Sequence, residues 1–149
     1  MAHFKMPLAV RSKISSGVHP IASWEQKLTK NLRPDHSARE TLADYKNHRF
    51  RMLYRNADGY PEQHDTEIDI VIVQSGEGTL LLGSKIIDPE MNPEANNGVG
   101  EWKGTKMEGG ERYPLGPGDV VHIPAGIPHS FLVAKGKHIT YVLLKIPAH

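Results

Sequence analysis

The run Ile68-Asp69-Ile70-Val71-Ile72-Val73 constrains this chain more than any other stretch. Five of its six residues are β-branched, which favours extended backbone and leaves both faces apolar except at one Asp. Such a strand needs cover on both sides. The carboxylate in its middle has to be protonated, paired or bound to a cation, because burying it alone costs several kcal/mol.

The same texture recurs along the rest of the chain. Phe50, Met52 and Tyr54 alternate with Arg51, Leu53 and Arg55, and the pattern stops at the turn cluster Asn56-Ala57-Asp58-Gly59. Thr79-Leu80-Leu81-Leu82 follows Ser75-Gly76-Glu77-Gly78 and is expected to pair with residues 68–73 as a hairpin buried on both sides. Residues 120–123, 130–133 and 139–146 repeat the pattern between Gly and Pro, which predicts a sandwich or closed barrel with no helix after residue 48.

A chain of 149 residues suits one β domain, expected over residues 49–149 behind a helical extension over residues 1–48. Two Ser-initiated patterns, Ser23-x-x-Gln26 and Ser37-x-x-Glu40, predict two short helices separated by Pro34 and packed outside the β core. Ile70 and Ile72 would be covered by those helices or by a second copy of the chain, so a homodimer is also expected. The polar, breaker-rich connection over residues 88–110 contains Glu101-Trp102-Lys103, a short extra strand. Its Trp102 either plugs the barrel mouth or covers an edge, with a mobile lid as the functional alternative.

With no Cys there is neither a disulfide framework nor a thiolate metal site, so any metal must sit on imidazole and carboxylate. Lys and Arg total 18 against 17 Asp and Glu without a long block of either sign, which argues against nucleic acid or an anionic membrane as partner. No apolar stretch reaches the roughly 18 residues of a membrane span. Residues 1–11 lack the apolar core of a signal peptide. A soluble, cytoplasmic protein is expected, with export left open because exported proteins can lack Cys and a leader can have been trimmed away.

Two motifs carry the chemistry. Gly118, Pro124, Gly126 and His129 form the frame G-x5-P-x-G-x2-H, in which Pro and Gly fix a tight turn and aim the His across the barrel. This resembles the second cupin motif, although Val133 stands where that motif ends in Asn. Counting back from Gly76 gives Glu62-x-His64-x4-Asp69-x6-Gly76, which keeps the spacing of the first cupin motif with altered residue types. Glu62 occupies the place of the family's first His, Asp69 that of its Glu, and Asn56 that of its opening Gly. The resemblance covers about residues 50–146. It implies an all-β cupin-type double-stranded β-helix, a jelly-roll barrel, holding one divalent metal on Glu62, His64, Asp69 and His129.

The residues themselves support that set. Positions i and i+2 of a strand point the same way, so Glu62 and His64 converge, and Asp69 arrives from the next strand. Two imidazoles and two carboxylates suit Zn, Mn, Fe(II), Ni or Co. Asp is one methylene shorter than Glu, so a place for Asp69 behind the ligands stays open, as does an empty barrel in which Asp69 pairs with His64 or His129. Glu62 is the candidate catalytic base, beside a metal acting as Lewis acid. The expected activity is that of an oxygenase, isomerase or lyase on a small organic substrate, the alternative being a non-catalytic ligand- or metal-binding module. His122 reads as a satisfied core or surface residue, and His3, His19, His36, His48, His138 and His149 read as solvated. Tyr54, Tyr113 and Tyr141 are packing residues by default and otherwise candidate proton donors.

Overall fold

The computed structural model describes residues 20–83, 85–92 and 100–148. The expectations for residues 1–11, His3, His19, His149 and the breakers at 93–98 lie outside these residues.

Among the described residues one helix, α1 (Ile21–Thr29), precedes thirteen strands: β1 (Ser37–Tyr45), β2 (His48–Arg55), β3 (Glu62–His64), β4 (Glu67–Gly76), β5 (Gly78–Leu82), β6 (Lys85–Ile87), β7 (Glu90–Met91), β8 (Glu101–Lys103), β9 (Lys106–Glu108), β10 (Glu111–Leu115), β11 (Val120–Ile123), β12 (His129–Leu132) and β13 (Ile139–Pro147). They form a five-stranded sheet in the order β1-β2-β13-β4-β11, a six-stranded sheet in the order β10-β5-β12-β3-β8-β7, and the small pair β6-β9. Between the two large sheets lies a core containing Leu53, Val71, Val73, Ile123, Tyr141 and Leu143 from the first, and Leu80, Leu115 and Phe131 from the second. Among the described residues no helix follows residue 48.

Three expectations are corrected. Ser37 does not open a helix: its backbone N–H and its hydroxyl both donate to Asp35 Oδ1, at 3.1 and 2.7 Å, and the chain leaves that turn as strand β1. Residue 48 consequently begins the second strand of a β1–β2 hairpin, with His48 opposite Tyr45. Residues 68–73 and 79–82 are not a hairpin either, because β4 pairs with β13 and β11 while β5 pairs with β10 and β12. Gly76, at φ +75°, turns the chain from one sheet to the other, and a Cβ there would lie 2.0 Å from the His138 carbonyl oxygen. Finally, α1 begins two residues before Ser23, with Pro20 as its N-cap.

The helix covers the outside of the five-stranded sheet. Leu28, with Ile21 and Trp24, packs on Ala38, Leu42, Met52, Tyr54 and Val142, and Ile72 joins this second cluster, so the chain itself supplies cover for Ile72. Glu25 pins the contact. Its Oε1 accepts from Ser75 Oγ at 2.7 Å and Thr140 Oγ1 at 2.8 Å, and lies 3.1 Å from His138 Nε2. The alternation in β2 therefore points opposite to the usual sense: Phe50, Met52 and Tyr54 face the helix, while Arg49, Arg51, Leu53 and Arg55 face the barrel.

Candidate metal centre

Strand geometry brings the four expected residues to one place inside the barrel. Glu62 and His64 are the two ends of three-residue β3 and share a face, with Glu62 opposite His129 on β12. The turn before β12 is tied to β3 by the Gly126 N–H, which donates to the His64 carbonyl at 2.7 Å, with Gly126 itself at φ +81°. This sets the two imidazole centroids 5.1 Å apart. Donor atoms of Glu62, His64 and His129 all lie within 4.8 Å of one another. Asp69 Oδ2, from β4, is 3.3 Å from His64 Nε2 and 3.6 Å from His129 Nε2.

Lys145 is the residue that sequence reasoning missed. It stands opposite Asp69 in the β13–β4 register, is 7% exposed, and its Nζ lies 2.7 Å from Asp69 Oδ1 and 3.1 Å from His64 Nε2. A signal existed, since Ile139, Tyr141, Leu143 and Lys145 share one face at period two and the first three belong to the core. Also unanticipated were Glu101, whose Oε1 is 3.8 Å from His64 Nδ1, and the inward arginines of β1 and β2.

Charges hold this cluster in a defined state. Burial raises the Asp69 carboxyl, but the hydrogen bond with His64 and the charges of Lys145, His64 and His129 outweigh it and hold Asp69 well below the usual carboxylate range. Glu62 is held low in the same way, burial being overcome by His64, His129, Arg55 and Lys145. Burial lowers His64, yet its hydrogen bond with Asp69 and the charges of Asp69 and Glu62 raise it overall. His129, 2% exposed, is pushed down by burial. Glu101 is pushed up by burial and then by Glu62.

These residues fit a divalent ion. His129 Nδ1 lies 2.9 Å from the Ile127 carbonyl, the donor arrangement that leaves Nε2 bare toward the centre. His64 Nδ1 is buried without a hydrogen-bond partner, Glu101 Oε1 standing 3.8 Å from it, while His64 Nε2 faces Asp69 Oδ2 and the centre. The donors are borderline imidazole and hard carboxylate, the set that divalent first-row ions take.

Other expected residues fall elsewhere. Trp102 does not line the cavity that Glu101 and Lys103 line; it lies on the other face of β8, where its Nε1 donates to Asp65 Oδ2 at 2.8 Å, and β8 is flanked by β3 and β7, so the expected barrel plug or edge cover is corrected to a residue on the outer face of an inner strand. His122 is on the surface. Of the three tyrosines only Tyr141 lines the cavity, its hydroxyl accepting from Arg55 Nε at 3.1 Å, while Tyr54 lies in the outer cluster and Tyr113 is exposed.

Two facing antiparallel sheets with an inward cluster of histidines and carboxylates define the cupin class of barrel. The chain carries this fold. It is similar to the polyketide cyclase RemF from Streptomyces resistomycificus, with 19% identity over 76% of this chain and 66% of that one, at a TM-score of 0.51. It is similar to the DMSP lyase DddQ from Ruegeria pomeroyi, with 21% identity over 75% and 47% of the two chains and a TM-score of 0.50. A cupin-2 domain protein from Rhodospirillum rubrum shares 14% identity over 74% and 60%, at a TM-score of 0.52. The chain thus spans under two thirds of the length of these three. No family model matches the sequence, and no curated protein matches it. Among the described residues no helix is long and apolar enough to cross a membrane.

Proposed function

We propose that the protein is a metal-dependent cupin enzyme that holds one divalent transition ion on Glu62, His64 and His129, with Asp69 joining through Oδ2, and acts on a small organic molecule. The observation that carries this is the convergence of the Glu62, His64 and His129 donors within 4.8 Å. When bound, such an ion supplies Lewis-acid or redox chemistry, according to its identity. Lys145 holds Asp69 Oδ1 and so orients the carboxylate. Glu62 is the most accessible of the four, its side chain 28% exposed against 2–4% for the others, which supports it as the proton acceptor a substrate can reach. The cyclase and lyase among the structural neighbours agree with a small-molecule substrate. The reading has no role for nucleic acid or membrane, places the protein in the cytoplasm, and admits a homodimer through the β11 edge, where Val120 is 68% exposed.

A second reading, a metal-free barrel that binds a ligand without turning it over, is favoured by Lys145, whose ammonium already stands as a cation between Asp69 and His64. Elemental analysis of protein purified without chelator, then dialysed against Mn(II), Fe(II) or Zn(II), decides between them. Stoichiometric metal that is lost in Glu62→Ala and His129→Ala, together with turnover of a small carboxylate, ketone or phenol, is expected. Substoichiometric metal in every dialysis would sink the metal reading.

A further inference from the structure

The cavity above the cluster, about 110 Å³, is smaller than the roughly 300–1,000 Å³ of drug-sized pockets, and seven Arg and Lys against four Asp and Glu line it. Its cationic end is built by the first two strands. Arg49, Arg51 and Arg55 alternate along the inner face of β2, and Arg39, paired with Leu53 across the β1–β2 ladder, lies on the same face. Two of these have side-chain hydrogen-bond acceptors. Arg49 Nη2 donates to Glu67 at 3.2 Å, and Arg55 Nε donates to Tyr141.

Arg51 is different. Its cross-strand neighbours are Thr41 on β1 and Leu143 on β13, neither of them acidic. Its Nε is buried and has no hydrogen-bond partner. Burial, then the positive charges of Arg49 and Arg39, push its guanidinium down to about 10, and Asp44 and Glu67 act on it more weakly than those arginines do. A half-buried guanidinium whose Nε is out of water among like charges is costly for the fold, and an anion brought in by a ligand offsets that cost. Guanidinium presents a planar fork of donors matched to carboxylate. Arg51 also lies close to the reactive cluster, because it faces Leu143, two residues before Lys145 on the same face of β13.

We propose that Arg51, flanked by Arg39 and Arg49, is the anion-binding end of this cavity, and that the substrate is a small organic carboxylate held there with its other end at Glu62, His64 and His129. This rests on the reading of that cluster as the reactive end. The test is calorimetric titration of the full chain, metal-loaded and chelator-stripped, with acetate, pyruvate and malonate, and with acetamide, pyruvamide and malonamide as neutral counterparts. At least one carboxylate is expected to bind about tenfold or more tightly than its amide, the scale of a charge-assisted hydrogen bond. Arg51→Gln removes that preference, and Arg51→Lys, which keeps the charge and loses the fork, keeps part of it. If Arg51→Gln does not fold, the carboxylate-to-amide ratio in wild type and in Arg51→Lys decides.

Equal binding of acids and amides, no binding of any of the three acids, inorganic phosphate binding in their place, or an unchanged preference in folded Arg51→Gln would each overturn the proposal. Metal content of the same samples separates the two readings. A metal-free protein that still prefers carboxylate through Arg51 keeps this inference and removes the metal centre. A metal-loaded protein without that preference does the reverse.

Discussion

Lys145 and Asp69 form a buried cross-strand pair, and such pairs are held together more by the cost of breaking them than by their own attraction. Lys145→Met should therefore destabilise the metal-free protein by about 3–5 kcal/mol in urea unfolding, since it leaves Asp69 uncompensated. If an ion sits beside Asp69, added Mn(II) or Zn(II) should raise the melting temperature of this variant more than that of wild type. A variant as stable as wild type without metal would show that the ammonium contributes nothing there. Arg51→Gln has the opposite sign. Removing a half-buried like charge should stabilise the ligand-free protein by about 0.5–2 kcal/mol, the usual size of a gain from optimising charges, and a lower urea midpoint would contradict the picture of Arg51 as a cation without an acidic partner. The sequence shows the two groups unequally. Glu62, His64, Asp69 and His129 were legible because their spacing resembles the two cupin motifs, and strand period and a Pro-Gly turn agree with where that resemblance points them. Lys145 and the arginines were not, because a cation on a strand reads as solvent-facing until the register shows what it opposes.

The elements divide along a similar line. Strands apolar on both faces, such as β4 and β13, announce themselves by composition. Strand β1 does not, because its cavity-facing residues Ser37, Arg39 and Thr41 are polar and its outer face mixes Ala38 and Leu42 with Glu40, so period two is hidden and the Ser37-x-x-Glu40 pattern mimics a helix start. The sheet assignment of β4 and β5 was equally hidden, since a short Gly-containing link serves a hairpin and a sheet switch alike. Gly76→Ala tests the switch: at φ +75° and with a Cβ facing the His138 carbonyl, the substitution should cost about 1–3 kcal/mol or more. For α1 the deciding contact is polar. Glu25→Ala leaves the fully buried Thr140 hydroxyl without its acceptor, and a loss of about 1–3 kcal/mol is expected, with faster hydrogen exchange in residues 21–29 than in the barrel. Unchanged exchange in α1 would mean that Leu28 and Trp24 alone hold it.

At the scale of the molecule, these charges set how stability follows pH. Asp69, Glu62, Glu25 and Asp35 are all held below their ordinary values of 3.8 or 4.5 in the folded state. A group whose folded pKa is depressed stabilises the fold above its unfolded pKa and loses that contribution as pH falls through the folded one. His129 acts in the same direction, since its neutral form is the buried one and protonation below pH 6.5 favours unfolding. His64 and Glu101 act oppositely. Their raised values stabilise the fold on the acid side and lose that contribution as pH rises through them. Four carboxylates against one make the acid limb the steep one, so the unfolding free energy of metal-free protein should fall between pH 5 and pH 3. Asp69→Asn should flatten that fall, and an equally steep fall in the variant would show that Asp69 is not a principal contributor. Metal adds a second dependence, because protons compete for the His64 and His129 nitrogens. The stabilisation given by a fixed concentration of Zn(II) should therefore shrink as pH falls, first as His64 with its raised value takes up a proton and then as His129 with its lowered value does, while the carboxylates with depressed values are still ionised. A metal-induced shift constant from pH 7.5 to pH 5 would place the ion away from the imidazoles and leave Lys145 as the cation around which this barrel is built.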